Sequence, residues 1–384
     1  MTELLRPFSG YIPESSFGPR VVGPPSATLT TEQKAEASAD PWSFRFTAGR
    51  KAGCSQKEAM EWLENAVHDR VLLPIGPAVV VYRQERDEFT ATGILCDLSL
   101  AAYRSGRVKR HEKTITKTQN KMARYMRTTR VYGNPPVTAI PRNQALAEAM
   151  AGHASRDPDS SFATVDGIAH DLWVVGGRDA TELCEFIDSD LYITDGHHRL
   201  AAASLVADEE GSADARIPVG VFSGDEFRLE AFARCVFDSE LDVDHAIEAI
   251  RSELVLEEVT SEQAAPRSRH EFGARIGNRY FRMSMPPDRI PGDHHSSLNT
   301  NLLQELVLAP VFGIDKPRQD KRLKFAPDLG RGREACPDAD AWFLPFPLEV
   351  TDVVRVADAG QAMPPKSTRF VPKLPSGLVI RPIG

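Results

Sequence analysis

The sequence predicts an α+β protein with a mixed core. Strand and helix patterns alternate unevenly along the chain, which favours a mixed sheet over a regular doubly wound one. The apolar fraction of 41% and the charged fraction of 26% are ordinary for a folded protein. With 384 residues, the chain is long enough for two domains or for one large domain with an appendage.

The N-terminal part of the chain contains a helix pattern and a hairpin pattern. The first forty residues are rich in Pro, Gly and Ser, which indicates an extended segment lying on the core. Ser55 and Glu58 form a capping-box pattern, and apolar residues then recur on one face, so we expect a helix over 55–70. The β-rich runs Ala78–Gln84 and Phe89–Cys96 flank a short charged link and predict a hairpin.

The remaining elements follow from the same periodicities. Helical patterns occupy residues 120–130, 142–152, a segment ending near 207, a segment starting at Asp244, and Asn299–Val307. Strand patterns occupy residues 170–175, 183–187, 191–194, Ile217–Phe222, Ala231–Val236 and Ala341–Phe346. Thr351 is predicted to cap the last helix, and the chain from Pro364 onwards is predicted to be extended.

Charge and apolar patterning argue against several classes of protein. The net charge of -8 is unfavourable for a general nucleic-acid binder. No apolar stretch approaches the ~20 residues that span a membrane, and the first residues lack a signal-peptide pattern. The five cysteines are scattered without metal or redox spacing, which indicates a reducing compartment. We therefore expect a cytoplasmic protein.

A candidate phosphate-binding turn lies where the strand pattern over 191–194 gives way to a helical pattern. The turn reads Asp195-Gly196-His197-His198-Arg199. A glycine here allows close backbone approach, a helix N-terminus attracts anions, and imidazole and guanidinium groups donate to phosphate oxygens. One of the two histidines also fits a buried or capping role. Zinc is disfavoured because adjacent side chains diverge and no Cys-x-x-Cys or His-x-x-x-His run accompanies them.

A basic segment contains a single carboxylate. Between Asp97 and Glu148 the one acidic residue is Glu112, in the run Lys109-Arg110-His111-Glu112-Lys113-Thr114. The surrounding segment holds ten cations, which are Arg104, Arg107, Lys109, Arg110, Lys113, Lys117, Lys121, Arg124, Arg127 and Arg130. Such a field favours anionic ligands. Glu112 is therefore a candidate base or metal ligand, and the alternative is an ordinary ion pair on a solvated basic face.

A third candidate segment lies near the C-terminus. Lys366-Ser367-Thr368-Arg369 places two hydroxyl groups between two cations, and flanking prolines favour an extended loop. This arrangement suits phosphate, although the Gly-x-x-x-x-Gly-Lys order of a Walker A loop is absent. The alternative is a terminal strand with exposed basic residues.

Taken together, these three segments resemble the bacterial family called domain of unknown function 1015. The order and spacing of the Glu112 run, the 195–199 turn and the tail 363–378 agree with that family, and the resemblance extends from Arg6 to the end. The family is similar to free serine kinases of the ParB/sulfiredoxin fold. The resemblance implies an extended N-terminal segment over 1–54, a ParB/sulfiredoxin-like nucleotide-binding core over 55–240, and a C-terminal α+β region over 241–384.

The resemblance also implies roles for individual residues. Glu112 would deprotonate the acceptor hydroxyl, and His198 would join it as a catalytic residue. The phosphates of ATP or ADP would contact a larger set, with Asp195 assisting through magnesium: Asp195, Gly196, His197, His198, Arg199, Arg110, His111, Lys366, Ser367 and Thr368. The implied reaction is phosphoryl transfer to a small hydroxyl compound, with free L-serine as the first choice. No cysteine lies in the turn, which disfavours sulfiredoxin chemistry.

Two rival functions remain open from the sequence. A ParB-like regulator would bind a nucleotide to switch a partner interaction, and the basic segment would suit nucleic acid in that case. A phosphoester hydrolase would use similar phosphate donors with water as the acceptor. A pocket that holds Glu112 and His198 together would favour the kinase.

Overall fold

A computed structural model describes residues 3–24, 29–44, 55–87, 89–238, 240, 242–327 and 337–383. The chain divides into two compact units. The first contains residues 1–227 and 372–384, and the second contains residues 228–371. The expected boundary at 240 therefore lies thirteen residues too far along the chain, because the strands that follow Phe227 pair with partners from the second unit.

The first unit is built on a large mixed sheet. The sheet consists of β1 (Leu5–Arg6), β2 (Phe8–Pro13), β3 (Leu72–Arg86), β4 (Phe89–Ser99), β5 (Val108–Lys109), β7 (Val137–Ile140), β8 (Ser160–Ala163), β9 (Ala169–Gly176), β10 (Leu191–Asp195) and β11 (Arg216–Ser223), whereas the short strand β6 (Val131–Tyr132) lies outside it. The sheet runs in the order β5-β10-β7-β11-β4-β3-β9-β8, with β1 against β4 and β2 against β3. The pair β5 and β10 and the pair β7 and β11 are parallel.

The first unit also contains helices. They are α1 (Gly18–Val21), α2 (Thr31–Ala39), α3 (Gln56–His68), α4 (Leu100–Arg104), α5 (Thr116–Thr129), α6 (Gln144–His153), α7 (Gly177–Glu185) and α8 (His197–Glu209). The core beneath them joins central strands to apolar faces of α5, α7 and α8, including Val81, Ile94, Met126, Leu183 and Ala203. The site described below lies at one edge of this core.

The second unit has its own sheet and core. Its elements are β12 (Arg228–Glu230), β13 (Phe232–Val236), α9 (Val243–Arg251), β14 (Val255–Val259), β15 (Glu271–Ile276), β16 (Arg279–Ser284), α10 (Asn299–Leu303), a π-helical turn (Gln304–Leu308), α11 (Ala309–Phe312), β17 (Leu323–Pro327), β18 (Ala341–Pro345), α12 (Val350–Asp358) and β19 (Arg369–Val371). The main sheet follows the order β14-β16-β15-β18-β13-β17. Phe272, Phe281 and Phe343 are buried in its core.

After the second unit, the chain returns to the first. Strand β20 (Arg381–Pro382) pairs with β6 in antiparallel register, and Ile380 exchanges backbone hydrogen bonds with Tyr11. The region expected as a single C-terminal unit over 241–384 is therefore divided, with its last residues in the first unit. The expected N-terminal extension is also more than a surface segment, because β1 and β2 pair with β4 and β3 of the main sheet.

Most predicted elements are confirmed, and one is wrong. The Ser55 and Glu58 capping box is present, and β3 and β4 form the expected hairpin with Arg86 opposite Phe89. The predicted strand at 183–187 instead falls largely within helix α7. Ala180, Leu183 and Cys184 follow a spacing of three and four residues on one buried helical face.

Two further expectations are corrected in detail. Helix α12 has Glu349 at its N-cap and not Thr351, with Asp352 completing a capping box. Cys96 and Cys184 are free and buried, whereas Cys235 takes part in a disulfide bond, so the expectation of reduced cysteines does not hold for Cys235. Within the described ranges, no helix combines the length and apolar character needed to cross a membrane.

Candidate functional site

The predicted phosphate turn lies between β10 and α8. Strand β10 ends at Asp195, and helix α8 begins at His197 without a side-chain N-cap hydrogen bond. Gly196 between them has a φ of 98°, and a Cβ atom there would lie 2.7 Å from the Cβ atom of Pro136. Glycine is therefore required on both conformational and steric grounds. The turn leaves the first backbone N–H groups of α8 in the arrangement that binds anions elsewhere.

Arg199 holds this turn to the preceding loop. Its Nη1 atom donates to the carbonyl oxygen of Asn134 at 3.1 Å, to the Oδ1 atom of Asn134 at 2.6 Å and to the carbonyl oxygen of Pro135 at 2.6 Å. Its Nη2 atom donates to the carboxylate of Asp195. The side chain is 12% exposed. This geometry gives Arg199 a positioning role within the turn.

Asp195 lies between two cations. One carboxylate oxygen accepts from Arg199, and the other lies 3.3 Å from the Nζ atom of Lys373. The charge of this carboxylate is therefore compensated by both cations. In the part of the chain that the structure describes, no cluster of three or more His, Cys, Asp or Glu residues could hold a metal ion. Magnesium at phosphoryl-transfer sites is usually held by one or two carboxylates together with substrate phosphates, so the predicted role of Asp195 through magnesium stays a prediction.

The first histidine of the turn is part of the core. His197 is buried, and its ring packs edge to face on His111 with 4.6 Å between the ring centroids. Burial lowers the pKa of His197 to about 3, helped by the nearby His198 and Arg110. Burial also lowers the pKa of His111 well below its usual value, although a backbone hydrogen bond involving Ile193 opposes the shift. Both rings are neutral near pH 7 and act as packing groups.

The second histidine has a different environment. His198 is partly exposed, and its Nε2 atom accepts the backbone N–H of Ile115 at 2.9 Å. A neutral imidazole that accepts at Nε2 carries its proton on Nδ1. His198 therefore connects the turn to the start of α5.

Glu112 lies in a loop that is attached to the turn on both sides. Strands β5 and β10 are parallel neighbours, so the loop after β5 and the turn after β10 leave the sheet at the same edge. On one side of Glu112, His111 packs on His197. On the other side, Ile115 donates to His198. These two contacts place the partly buried Glu112 beside the N-terminus of α8.

The basic segment is partly compensated by acids distant in sequence. Asp190 and three acidic residues at the end of α8 pair with five of its ten cations. The pairs are Arg104 with Asp208, Arg107 and Lys109 with Asp190, Arg127 with Glu209, and Arg130 with Glu210. Each pair is partly exposed and contributes little to stability alone. Arg110 is exposed and lies over the ring of Tyr103.

A comparison with known protein families shows to which family the chain belongs. Residues 5–306 match the model of the family described as Protein of unknown function (DUF1015). The chain belongs to this family. No curated protein matches this DUF1015 chain.

Several solved structures are distantly similar to the DUF1015 chain. A glutamate-to-alanine variant of a free serine kinase in complex with AMP is 16% identical with a TM-score of 0.40, over 73% of this chain and 89% of the other. SbnI from Staphylococcus aureus, with a C-terminal truncation, is 12% identical with a TM-score of 0.41, over 75% and 87%. A conserved hypothetical protein from Pyrococcus furiosus is 17% identical with a TM-score of 0.37, over 73% and 93%. Likenesses of this size do not establish a ParB/sulfiredoxin fold.

The tail beyond the DUF1015 match is divided between the two units. Lys366, Ser367 and Thr368 belong to the second unit, where the Ser367 hydroxyl donates to the carbonyl of Pro364 at 2.8 Å and the backbone carbonyl of Lys366 accepts from Arg234 Nη2 at 3.3 Å. Their predicted contact with phosphate stays a prediction, since the turn belongs to the first unit.

Two residues of the site were not predicted from the sequence. Asn134 supplies two acceptors to Arg199, and Lys373 reaches Asp195 from 178 positions away. Lys373 stands in the tail segment that resembles the family, but nothing in its immediate sequence separates it from the neighbouring Lys366. Only the return of the chain to the first unit distinguishes the two lysines.

Proposed function

We propose that this DUF1015 protein transfers a phosphoryl group from ATP or ADP to the hydroxyl of a small molecule, with L-serine as the first candidate. The observation that carries the proposal is the attachment of the Glu112 loop to the 195–199 turn, through His111 on one side and Ile115 on the other. Phosphoryl transfer requires charge neutralisation, alignment and a group that orients the attacking hydroxyl. The turn and Glu112 supply these functions at one sheet edge.

In the proposed reaction, the Glu112 carboxylate accepts the proton of the acceptor hydroxyl while the oxygen of that hydroxyl bonds to the terminal phosphorus. The bond between that phosphorus and the bridging oxygen of the nucleotide breaks, and the shortened nucleotide leaves with the electron pair. The N-terminus of α8 favours the phosphate charge in the transition state. His198 takes part from the same turn, where its Nε2 atom accepts from Ile115 and so joins the turn to the Glu112 loop.

The test compares Glu112→Gln with a matched control, Glu148→Gln, which changes an exposed glutamate on α6. Phosphorus NMR would follow ATP and ADP in separate samples with magnesium and L-serine. We expect a phosphoserine signal from the wild type and from Glu148→Gln. Loss of a general base should lower turnover of Glu112→Gln by ~100-fold or more. Nucleotide binding should persist, since the turn is unchanged.

The same spectra separate the rival functions. Inorganic phosphate without phosphoserine would indicate the hydrolase, and nucleotide that binds but stays intact with serine and a panel of other hydroxyl compounds would indicate the regulator. The pairing of five cations with acidic residues makes the basic segment a weaker nucleic-acid surface than its sequence suggested. We therefore favour the phosphoryl transfer.

A further inference from the structure

The C-terminal segment 372–383 is anchored in the first unit by its own core packing. Ile380 and Tyr11 exchange backbone hydrogen bonds of 2.8 and 2.9 Å. Leu378 and Val379 are fully buried, as is Ile380. The position of this segment is thus set by backbone pairing and apolar burial, independently of any ion pair near the turn.

This anchoring brings Lys373 to the turn. The next residue, Leu374, is buried, and it packs so closely on Gly220 that a Cβ atom there would lie 2.5 Å from a Leu374 methyl group. Lys373 extends its Nζ atom to within 3.3 Å of Asp195 Oδ1, and its side chain is 32% exposed. The ammonium group therefore lies beside Asp195, which directly precedes the N-cap of α8, on a side chain that is partly exposed.

The two cations at Asp195 differ in their exposure. The Arg199 guanidinium is 12% exposed and donates to two backbone carbonyls and the Asn134 side chain as well as to Asp195. Lys373 is more exposed and has three N–H donors on a flexible stem. Asp195, Arg199 and Lys373 together carry a net charge of +1 beside a helix N-terminus. Of these cations, Lys373 is the one placed to meet an incoming anion.

We propose that Lys373 binds the terminal phosphates of the nucleotide, so that the C-terminal segment supplies part of the donor site. This inference rests on the proposed function. Lys373 lies beyond residue 306, where the family match ends, and its contact with Asp195 is the observation that carries the inference. When the nucleotide binds, the Lys373 ammonium contacts phosphate oxygens, either in place of the Asp195 carboxylate or together with it.

Calorimetric titration of full-length protein with ATP, ADP, AMP and adenosine tests this role. The variants are Lys373→Met, Lys373→Arg and a control, Lys57→Met, at a lysine that is 84% exposed on α3. Loss of one charged hydrogen bond should weaken ATP and ADP binding to Lys373→Met about 10- to 100-fold. Adenosine binding should not change, and Lys373→Arg should lose less affinity than Lys373→Met. Lys57→Met should match the wild type.

Two results would overturn the inference and leave the proposed function standing. They are unchanged ATP affinity in Lys373→Met, and an equal loss for ATP and adenosine, which would indicate a merely structural contact. If the wild type binds no nucleotide, the proposed function fails and inorganic pyrophosphate becomes the probe. Pyrophosphate binding that is lost in Lys373→Met would retain Lys373 as an anion-binding residue. Pyrophosphate binding that is absent or unaffected would overturn the inference as well.

Discussion

The rings of His111 and His197 meet edge to face at an interplanar angle of 85°, joining the loop after β5 to the first turn of α8. Both rings are buried, and burial holds both pKa values below the ordinary range of histidine. Neither residue therefore brings positive charge to a phosphate near pH 7. Their contribution is to hold Glu112 beside the turn.

Acid should destabilise the protein through His197. Its pKa is about 3 in the fold against an ordinary 6.5, so its contribution to stability is present above pH 6.5 and is lost as the pH falls towards 3. Between pH 6.5 and pH 5 this loss is about 2 kcal/mol. Urea unfolding of the wild type and of His197→Phe at pH 7, 6 and 5 would measure it. A difference in the free energy of unfolding between the wild type and His197→Phe that stays constant from pH 7 to pH 5 would contradict the expectation.

Asp97 should make the protein less stable as the pH rises, which is opposite to the effect of His197. Burial raises its pKa to about 6, although the guanidinium groups of Arg381, Arg6 and Arg216 oppose the shift. A carboxyl group with a raised pKa stabilises the fold fully below its unfolded pKa of 3.8, and that stabilisation is lost as the pH rises to about 6. The change amounts to about 3 kcal/mol.

The comparison for Asp97 is with Asp97→Asn, which does not titrate. Relative to this variant, the free energy of unfolding of the wild type should decrease between pH 4 and pH 6 and then become constant. Urea unfolding across this range is the measurement. A wild type that gains stability relative to Asp97→Asn over the same interval would show that the ion pair with Arg381 outweighs the burial of the carboxyl group.

Gly196→Ala should disrupt the turn. The backbone has a φ of 98°, and the new methyl group would meet Pro136 at 2.7 Å. We expect the free energy of unfolding to fall by about 1–3 kcal/mol and nucleotide binding to weaken with it. The control is Gly152→Ala in α6, where a Cβ atom meets nothing within 4 Å and a gain of about 0.5–1 kcal/mol is expected. Thermal and urea unfolding of both variants provide the check.

Arg199→Lys should show that the guanidinium fork is needed. A lysine ammonium cannot reach both the Asn134 and Pro135 oxygens and the Asp195 carboxylate in one planar arrangement. The free energy of unfolding should fall by about 2–3 kcal/mol. Arg86→Lys, at an arginine that is 52% exposed, should change it by less than about 0.5 kcal/mol. Equal effects at the two positions would remove the positioning role from Arg199.

Local sequence patterns were sufficient to predict the elements that are determined by residues close together in the sequence. The Ser55 capping box, the hairpin of β3 and β4, and the change from strand to helix at Gly196 all depend on neighbours in sequence. The predicted strand at 183–187 failed because a short apolar run is compatible with either period. The preceding glycines and the spacing of Ala180 and Leu183 instead suit a helix packed on the sheet.

The partners of the site residues could not be predicted in this way. In the sequence His197 and His198 are adjacent and equivalent, whereas in the fold His197 is buried and His198 is partly exposed. It offers Arg199 as a phosphate donor, whereas tertiary contacts direct its guanidinium to Asn134 and Pro135. These differences arise from residues about sixty to ninety positions apart, and no local pattern encodes them.

The division of the first unit into two stretches of chain has a consequence for biosynthesis. Residues 372–383 supply β20 and Lys373, and the ribosome adds them only after the entire second unit has been translated. Until then, the nascent chain lacks the partner of Tyr11 at Ile380. The second unit can fold while the first is still incomplete, so we expect the donor site to form last.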